Sequence, residues 1–233
     1  MPEQTHKDKF KIYARRLLEG RQPPLAILEV GGGTEPHIEL EESRYTVLDI
    51  CEASTARSRY AHETIVADVE HFQFAPNSFD AVVFWNVLEH VADPKAALQR
   101  TAAALKPQGI IVIAGPILNS FKALLTRLTP YRLHVEYYRR VLGRTTAGTG
   151  GESPFPVEHS PLASPEEICR ILRQLQFNQI YFDLFPGIHI DLLKERWPWM
   201  HRLYNVLAQA TSLLSRGRYS AHATEFILVM KGP

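Results

Sequence analysis

Between Leu25 and Pro116, short apolar runs alternate with polar or helix-forming stretches, and the strongest runs are apolar on both faces. Leu25 to Val30, Tyr45 to Ile50, Thr64 to Ala67, Phe79 to Trp85 and Ile110 to Ala114 read as strands. Glu52 to Tyr60 and Pro94 to Leu105 read as helices, the second opened by Asp93 as N-cap with Pro94 in its first turn. A strand apolar on both faces must be covered on both sides. The rhythm therefore predicts an α/β fold with a parallel sheet between layers of helices. Upstream, Phe10, Tyr13, Ala14 and Leu17 recur at helical spacing, predicting an N-terminal helix within residues 7–20 that Gly20 and Pro23-Pro24 stop.

After Pro116 the rhythm changes. Ile117 to Gly143 reads as helical, and Arg144 to Pro161, rich in Gly, Thr, Ser and Pro, as a mobile loop. Ser164-Pro165-Glu166-Glu167 combines an N-cap, a first-turn proline and a capping-box acid, so a helix runs from there to about Leu175. Gln179 to Phe185 and Thr224 to Met230 read as a closing pair of strands. Asp191 to Arg216 between them reads as helical, kinked or split by Pro198. The expected organisation is one domain over 1–233, with a core at 25–116 and variable insertions at 117–163 and 186–222.

Composition narrows the function classes. A chain of 233 residues can bury a full core, and its net charge of +1 gives no global reason to expect nucleic acid. No apolar run approaches the roughly 20 residues that span a bilayer. Met1 to Phe10 is too polar for a secretory signal. Cys51 and Cys169 fit no metal-ligand spacing, so no metal site is expected and a reduced, cytoplasmic compartment is the simplest reading. The oligomeric state is not legible.

The chemistry-bearing segment is Ile27-Leu28-Glu29-Val30-Gly31-Gly32-Gly33-Thr34. A strand ending in glycines lets a ligand approach the backbone closely, although a structural turn explains such a cluster equally well. Asp49 ends the next strand, where a carboxylate accepts both hydroxyls of a ribose or simply caps the following helix. Asp68, between Ala67 and Val69, ends the third strand. The run Ser78-Phe79-Asp80 through Asn86-Val87-Leu88-Glu89-His90-Val91 spans the fourth, and Leu105-Lys106-Pro107-Gln108-Gly109 precedes the fifth.

Together these segments resemble the class I S-adenosylmethionine-dependent methyltransferases. Glu29, Gly31 and Gly33 fall on the family's acid-and-glycine motif, with Gly32 inside it, and Asp49-Ile50 matches its ribose-binding strand end. Asp68-Val69 matches the adenine edge, and Asn86 ends the fourth-strand motif. The resemblance implies a Rossmann-like sandwich: a mostly parallel seven-stranded sheet with an antiparallel C-terminal strand, plus helical insertions. It also implies S-adenosylmethionine as cofactor. Glu29 would engage the methionine amino group, Gly31, Gly32 and Gly33 would admit the cofactor, Asp49 and Ile50 would hold the ribose side, Asp68 and Val69 would meet adenine, and Asn86 would line the methyl-transfer face. One departure is Glu35 where many members have a third glycine. It either crowds the cofactor carboxylate or serves as an acid in a first helical turn.

His90, His134 and His159 are the candidate bases, each weighed against a structural role. Trp85, Tyr137 and Tyr138 can pack an acceptor or the core. Lys122, Arg127, Arg132, Arg139, Arg140 and Arg144 against Glu136 make the first insertion basic, which a solvated helix face explains more readily than an anionic acceptor or peripheral contact with a membrane surface does. Trp197, Trp199 and Leu203 leave room for an apolar or interfacial one. The reading is methyl transfer to a small-molecule or lipid-like acceptor, with oxygen favoured over nitrogen or carbon. Its alternatives are an inactive binding or regulatory relative, for which Glu35 speaks, and a nicotinamide-dependent oxidoreductase, against which the unmet G-x-G-x-x-G spacing speaks.

Overall fold

The computed structural model describes residues 6–140, 143–149, 154–155, 158 and 160–233, so His159 lies outside the described residues. Seven strands form one sheet in the order β3-β2-β1-β4-β5-β7-β6. These are β1 (Leu25–Val30), β2 (Ser43–Asp49), β3 (Glu63–Val66), β4 (Phe79–Trp85), β5 (Leu105–Pro116), β6 (Asn178–Phe185) and β7 (Glu225–Lys231). The first five are mutually parallel, and β7 runs antiparallel between β5 and β6. The expected sheet is therefore present. The central strands are buried as their sequences require, whereas β3 and β6, at the two edges, are largely exposed.

Two cores flank the sheet. On one side α3 (Pro94–Ala104) and α6 (Pro165–Gln174) place Ala97, Leu98, Ile168 and Leu172 against Val82, Phe84, Ile111, Ile113 and Leu228. On the other, α1 (His6–Leu18) lays Phe10, Ala14 and Leu18 on Ile27, Ala81, Val83, Val112 and Val229. On the second face residues 31–42 form no helix, so Glu35 does not stand in a first helical turn. Tyr45 holds this loop down instead. Its hydroxyl donates to the Ile38 carbonyl at 2.8 Å and accepts from the Leu40 amide at 3.1 Å, so Ile38 fills the space a helix would cover.

Other boundaries moved for local reasons. Glu52 to Tyr60 shortens to α2 (Glu52–Thr55) followed by turns, and β5 starts at Leu105, because Leu105 pairs with Phe79 before the register shifts. Ile117 to Gly143 divides into α4 (Phe121–Leu128) and α5 (Tyr131–Arg140) around Pro130, which cannot continue a helix. Pro198 likewise separates α7 (Ile188–Arg196) from α8 (Pro198–Leu214). Among the described residues no helix is long and apolar enough to cross a membrane.

Strand direction decides where chemistry can gather. The carboxyl ends of β1 to β6 and the amino end of β7 share one edge, since Pro116 and Phe185 both pair with Glu225. The α4–α5 segment leaves the sheet at that edge after β5, and the α7–α8 segment both leaves and rejoins it there, after β6 and before β7.

Candidate functional site

At the end of β1 the chain turns through Gly31 (φ +83°) and Gly32 (φ +42°), both left-handed conformations that favour glycine. A Cβ on Gly31 would run into the Val87 side chain, and one on Gly32 would lie 2.7 Å from Val47 Cγ1. Gly33 differs. Its φ is ordinary, and a Cβ there would meet only the Glu35 carbonyl at 3.6 Å and the His37 ring at 3.7 Å. Packing within the chain thus accounts for the first two glycines and not for the third. Ser58 pins the loop, its hydroxyl donating to the Gly33 carbonyl at 2.8 Å and accepting from the Gly33 amide at 3.3 Å.

Glu29 sits beneath this loop, almost fully buried. Its Oε1 accepts from the His37 amide at 2.8 Å; its Oε2 accepts from the His37 ring Nδ1 at 2.8 Å and from the Tyr60 hydroxyl at 3.1 Å. A carboxylate offers about four acceptor positions, so one on Oε1 remains open. The His37 ring in turn stacks on Trp85, centroids 4.8 Å apart. A cleft of about 330 Å³ opens here, lined by Phe10 and Lys11 of α1 and by Gly33, Glu35, His37 and Trp85 among others. Glu35 is exposed at its rim.

Asp49 ends β2 half-buried, its Oδ1 accepting from the Cys51 amide at 2.8 Å. Burial raises its carboxyl above the usual range, against the pull of the Cys51 amide and the Arg57 charge. Beside it the apolar side chain of Ile50 is 73% exposed. Asp68 is occupied locally, its Oδ1 accepting from the Glu70 amide at 2.9 Å and its Oδ2 facing His71 Nδ1 at 3.2 Å. Val69 is buried in the core, so it reaches a ligand only through its backbone. Asp68, Glu70 and His71 bring ligand atoms within 4.8 Å of one another, but Glu70 already accepts from the Ala92 amide. Asn86 follows β4 in the left-handed region (φ +54°), exposed at the shared edge.

The candidate bases fare differently. His90 lies against Phe155, with Nε2 3.8 Å from Glu89 Oε1, while His134 is hydrogen-bonded to Thr129 at the corner between α4 and α5. Burial lowers the His134 pKa. Asp80, part of the same sequence run as Asn86, sits at the opposite edge of the sheet. There it binds Arg21 at 2.7 Å, Lys106 at 2.7 Å and the Ala26 amide at 2.9 Å, a structural tie far from the glycine loop. A cleft of about 360 Å³ also lies at that edge, around Pro107, Phe177 and Pro233; its only charged side chain is Lys106.

Sequence reasoning missed a buried polar cluster beside the glycine loop's edge. Glu89, in the Leu88–His90 turn, is pushed up to about 7, mainly by burial and further by the Glu225 charge, with Lys122 opposing. Lys122 of α4 lies 3.5 Å from Glu225 of β7. Gly187 is small because a Cβ there would collide with the Glu225 carboxylate. His189 of α7 contacts the Tyr138 hydroxyl through Nε2 at 3.3 Å, and its Nδ1 is buried with no hydrogen-bond partner among the described residues. Burial, then the Lys122 and Arg144 charges, lower His189 to about 4, so it is neutral. The Glu158 amide donates to the Glu89 carbonyl at 2.9 Å, anchoring the described part of the 144–161 loop here. No local motif signals this cluster, because its members come from five separate elements.

A family model for a methyltransferase domain matches residues 2–181. The chain is 31% identical over 117 residues to a ubiquinone biosynthesis O-methyltransferase of Idiomarina loihiensis (strain ATCC BAA-735 / DSM 15497 / L2-TR), covering 48% of this chain and 42% of that protein. It is 30% identical over 149 residues to the Paracidovorax citrulli (strain AAC00-1) protein of the same name, covering 63% and 55%. The chain thus spans about half the length of these curated relatives. Among solved structures, N-methyltransferase NodS from Bradyrhizobium japonicum WM9 in complex with S-adenosyl-L-homocysteine superposes with a TM-score of 0.54 at 15% identity, covering 99% of this chain and 90% of that one.

Proposed function

The chain belongs to the class I S-adenosylmethionine-dependent methyltransferase family, and on that premise we propose that it transfers a methyl group to an oxygen atom of a small-molecule or lipid-like acceptor. One observation carries the reading: Glu29, the Gly31–Gly33 loop, Asp49 and Asn86 meet at one edge of the sheet, with a glycine at 33 that packing does not require. Gly33 would admit the cofactor, Glu29 would take its ammonium group, and Asp49 would hold its ribose hydroxyls. Ile50 and the Asp68-Val69 turn would flank its adenine, and Asn86 would face the methyl group. Bound there, S-adenosylmethionine supplies an electrophilic methyl carbon, so the protein's task is to align the acceptor and exclude water.

Oxygen is favoured because Glu89 suits proton removal from a hydroxyl. A base works best with a pKa near the working pH, and burial holds Glu89 close to 7. The insertions at 117–163 and 186–222 would shape the acceptor site, with Tyr138 and the neutral His189 as polar contacts. His90, beside Glu89, is the histidine best placed to assist. The free thiols of Cys51 and Cys169 suit a reducing compartment such as the cytoplasm.

Calorimetric titration with S-adenosylmethionine and S-adenosylhomocysteine, beside an Asp49→Ala variant, tests the reading. Micromolar binding that weakens at least about tenfold in the variant is expected, the loss of a charge-assisted bond. No binding of either compound to the wild-type protein would refute it. A labelled-methyl assay over hydroxylated, amine and carbon acceptors then decides the atom.

A further inference from the structure

The two insertions expose an apolar surface that the sheet does not use. In the 17 residues of α8 only Ala208 is buried. Trp199, Leu203, Val206, Leu207, Leu213 and Leu214 are exposed, Trp199 at 66% and the last two at 79% and 88%. Spacings of three, four and seven set them in one stripe along the helix. Leu125 and Leu128 of α4 and Leu133 of α5 are exposed as well. The Phe121 and Tyr204 rings pack α4 to α8 with centroids 5.2 Å apart, and a bridge between Ser120 and Ser220 ties the chain beyond α8 to the start of α4. Both insertions therefore carry exposed apolar side chains on helices packed against one another. An apolar stripe of the length seen on α8 marks an interaction site rather than ordinary solvent exposure.

Charge identifies the occupant. Residues 121–140 carry five basic side chains against Glu136, and residues 198–220 carry Arg202, Arg216 and Arg218 with no acid. The two segments thus hold a formal +7 in a protein of net +1, leaving −6 for the remainder. Arg132, Arg202, Arg216 and Arg218 are exposed. A second copy of this chain would set like charge against like across the face. An anionic bilayer matches it in both respects, taking the apolar stripe at the acyl boundary and the arginines at the headgroups.

We propose that the exposed face of α8, flanked by Arg202, Arg216 and Arg218, docks the protein reversibly on anionic membrane surfaces. Docking needs no spanning helix, and it does not depend on which acceptor is methylated.

Flotation of the full chain with vesicles of phosphatidylcholine alone, and of phosphatidylcholine with phosphatidylglycerol, tests this. Binding to the mixed vesicles at low salt, and about tenfold weaker binding at high salt or to phosphatidylcholine alone, is expected from surface electrostatics. Arg216→Ser with Arg218→Ser should weaken binding about 25-fold, from roughly fivefold per arginine. Leu213→Ser with Leu214→Ser should cost at least about tenfold, through lost apolar burial, with an unchanged circular dichroism spectrum. Wild-type protein that stays unbound with mixed vesicles overturns the proposal, as does binding by both variants that equals that of the wild type. A light-scattering dimer that the leucine variant dissociates, with no vesicle binding, would show instead that a second copy covers the face.

Discussion

His37 grips Glu29 twice: its backbone amide donates to Oε1 and its ring Nδ1 lies 2.8 Å from Oε2. The ring must present Nδ1–H, because the carboxylate has no proton to share there. Stacking on Trp85 fixes the ring plane, so the direction of a buried carboxylate beneath the glycine loop is set by an imidazole eight residues away. His37→Ala keeps the amide bond and removes the ring. We expect a loss of about 2 kcal/mol in stability, the worth of a hydrogen bond to a charged group. Cofactor affinity should fall about tenfold as Glu29 loses its orientation, which denaturation and calorimetry together would measure. A variant with unchanged affinity would remove His37 from the site.

The glycines should separate by role. Gly33→Ala is expected to fold with wild-type stability, since its Cβ meets only ordinary contacts, yet to lose cofactor binding. Gly31→Ala adds a left-handed penalty of about 1–2 kcal/mol to a clash with Val87, so its first symptom is a lowered melting temperature. If Gly33→Ala binds normally, no ligand approaches that backbone.

Glu89 should trade stability for activity. Its folded pKa of about 7 stands above the ordinary 4.5, so the unfolded chain releases this proton first as pH rises. Stability from this group is then unaffected below pH 4.5 and declines between 4.5 and 7, by about 3 kcal/mol in all. Glu89→Gln removes the penalty. It should match the wild type near pH 4 and exceed its stability at pH 8, while turnover falls and the acidic limb of the rate profile, centred near 7, disappears. A variant with full turnover would end the assignment of Glu89 as base.

Asp80 should behave in the opposite way. Burial alone would raise its carboxyl, but Lys106, the Ala26 amide and Arg21 outweigh it and hold it below the usual range. Its contribution is therefore present above the ordinary carboxyl pKa of 3.8 and lost as pH falls through the depressed folded value. Asp80→Asn should cost about 3 kcal/mol, the penalty for breaking a buried pair, and leave cofactor affinity unchanged. Altered affinity with normal stability would contradict its placement at the far edge.

Asp49 and Asp80 show how far the residues could be read in isolation. Both are acids in or beside apolar strands. Yet Asp49 ends β2 and Asp80 lies near the start of β4, so only strand direction separates a candidate binding position from a structural one. That direction was legible from the parallel rhythm. The absence of a helix over 31–42 was not, because it depends on the Tyr45 hydroxyl reaching back to Ile38 and Leu40.

Local burial writes itself into local pattern, and this determined the sheet, the glycine-ended β1, the cap at Ser164 and the placing of Glu29, Asp49 and Asn86 at strand ends. Tertiary structure alone decided the rest. Glu89, Lys122, Tyr138, His189 and Glu225 meet because β7 inserts antiparallel between β5 and β6 and both insertions leave the sheet at the same edge. The raised pKa of Glu89 and the lowered pKa of His189 arise from burial and from charges on other elements. Desolvation of that kind follows from how elements pack together, and neighbours in sequence carry no trace of it.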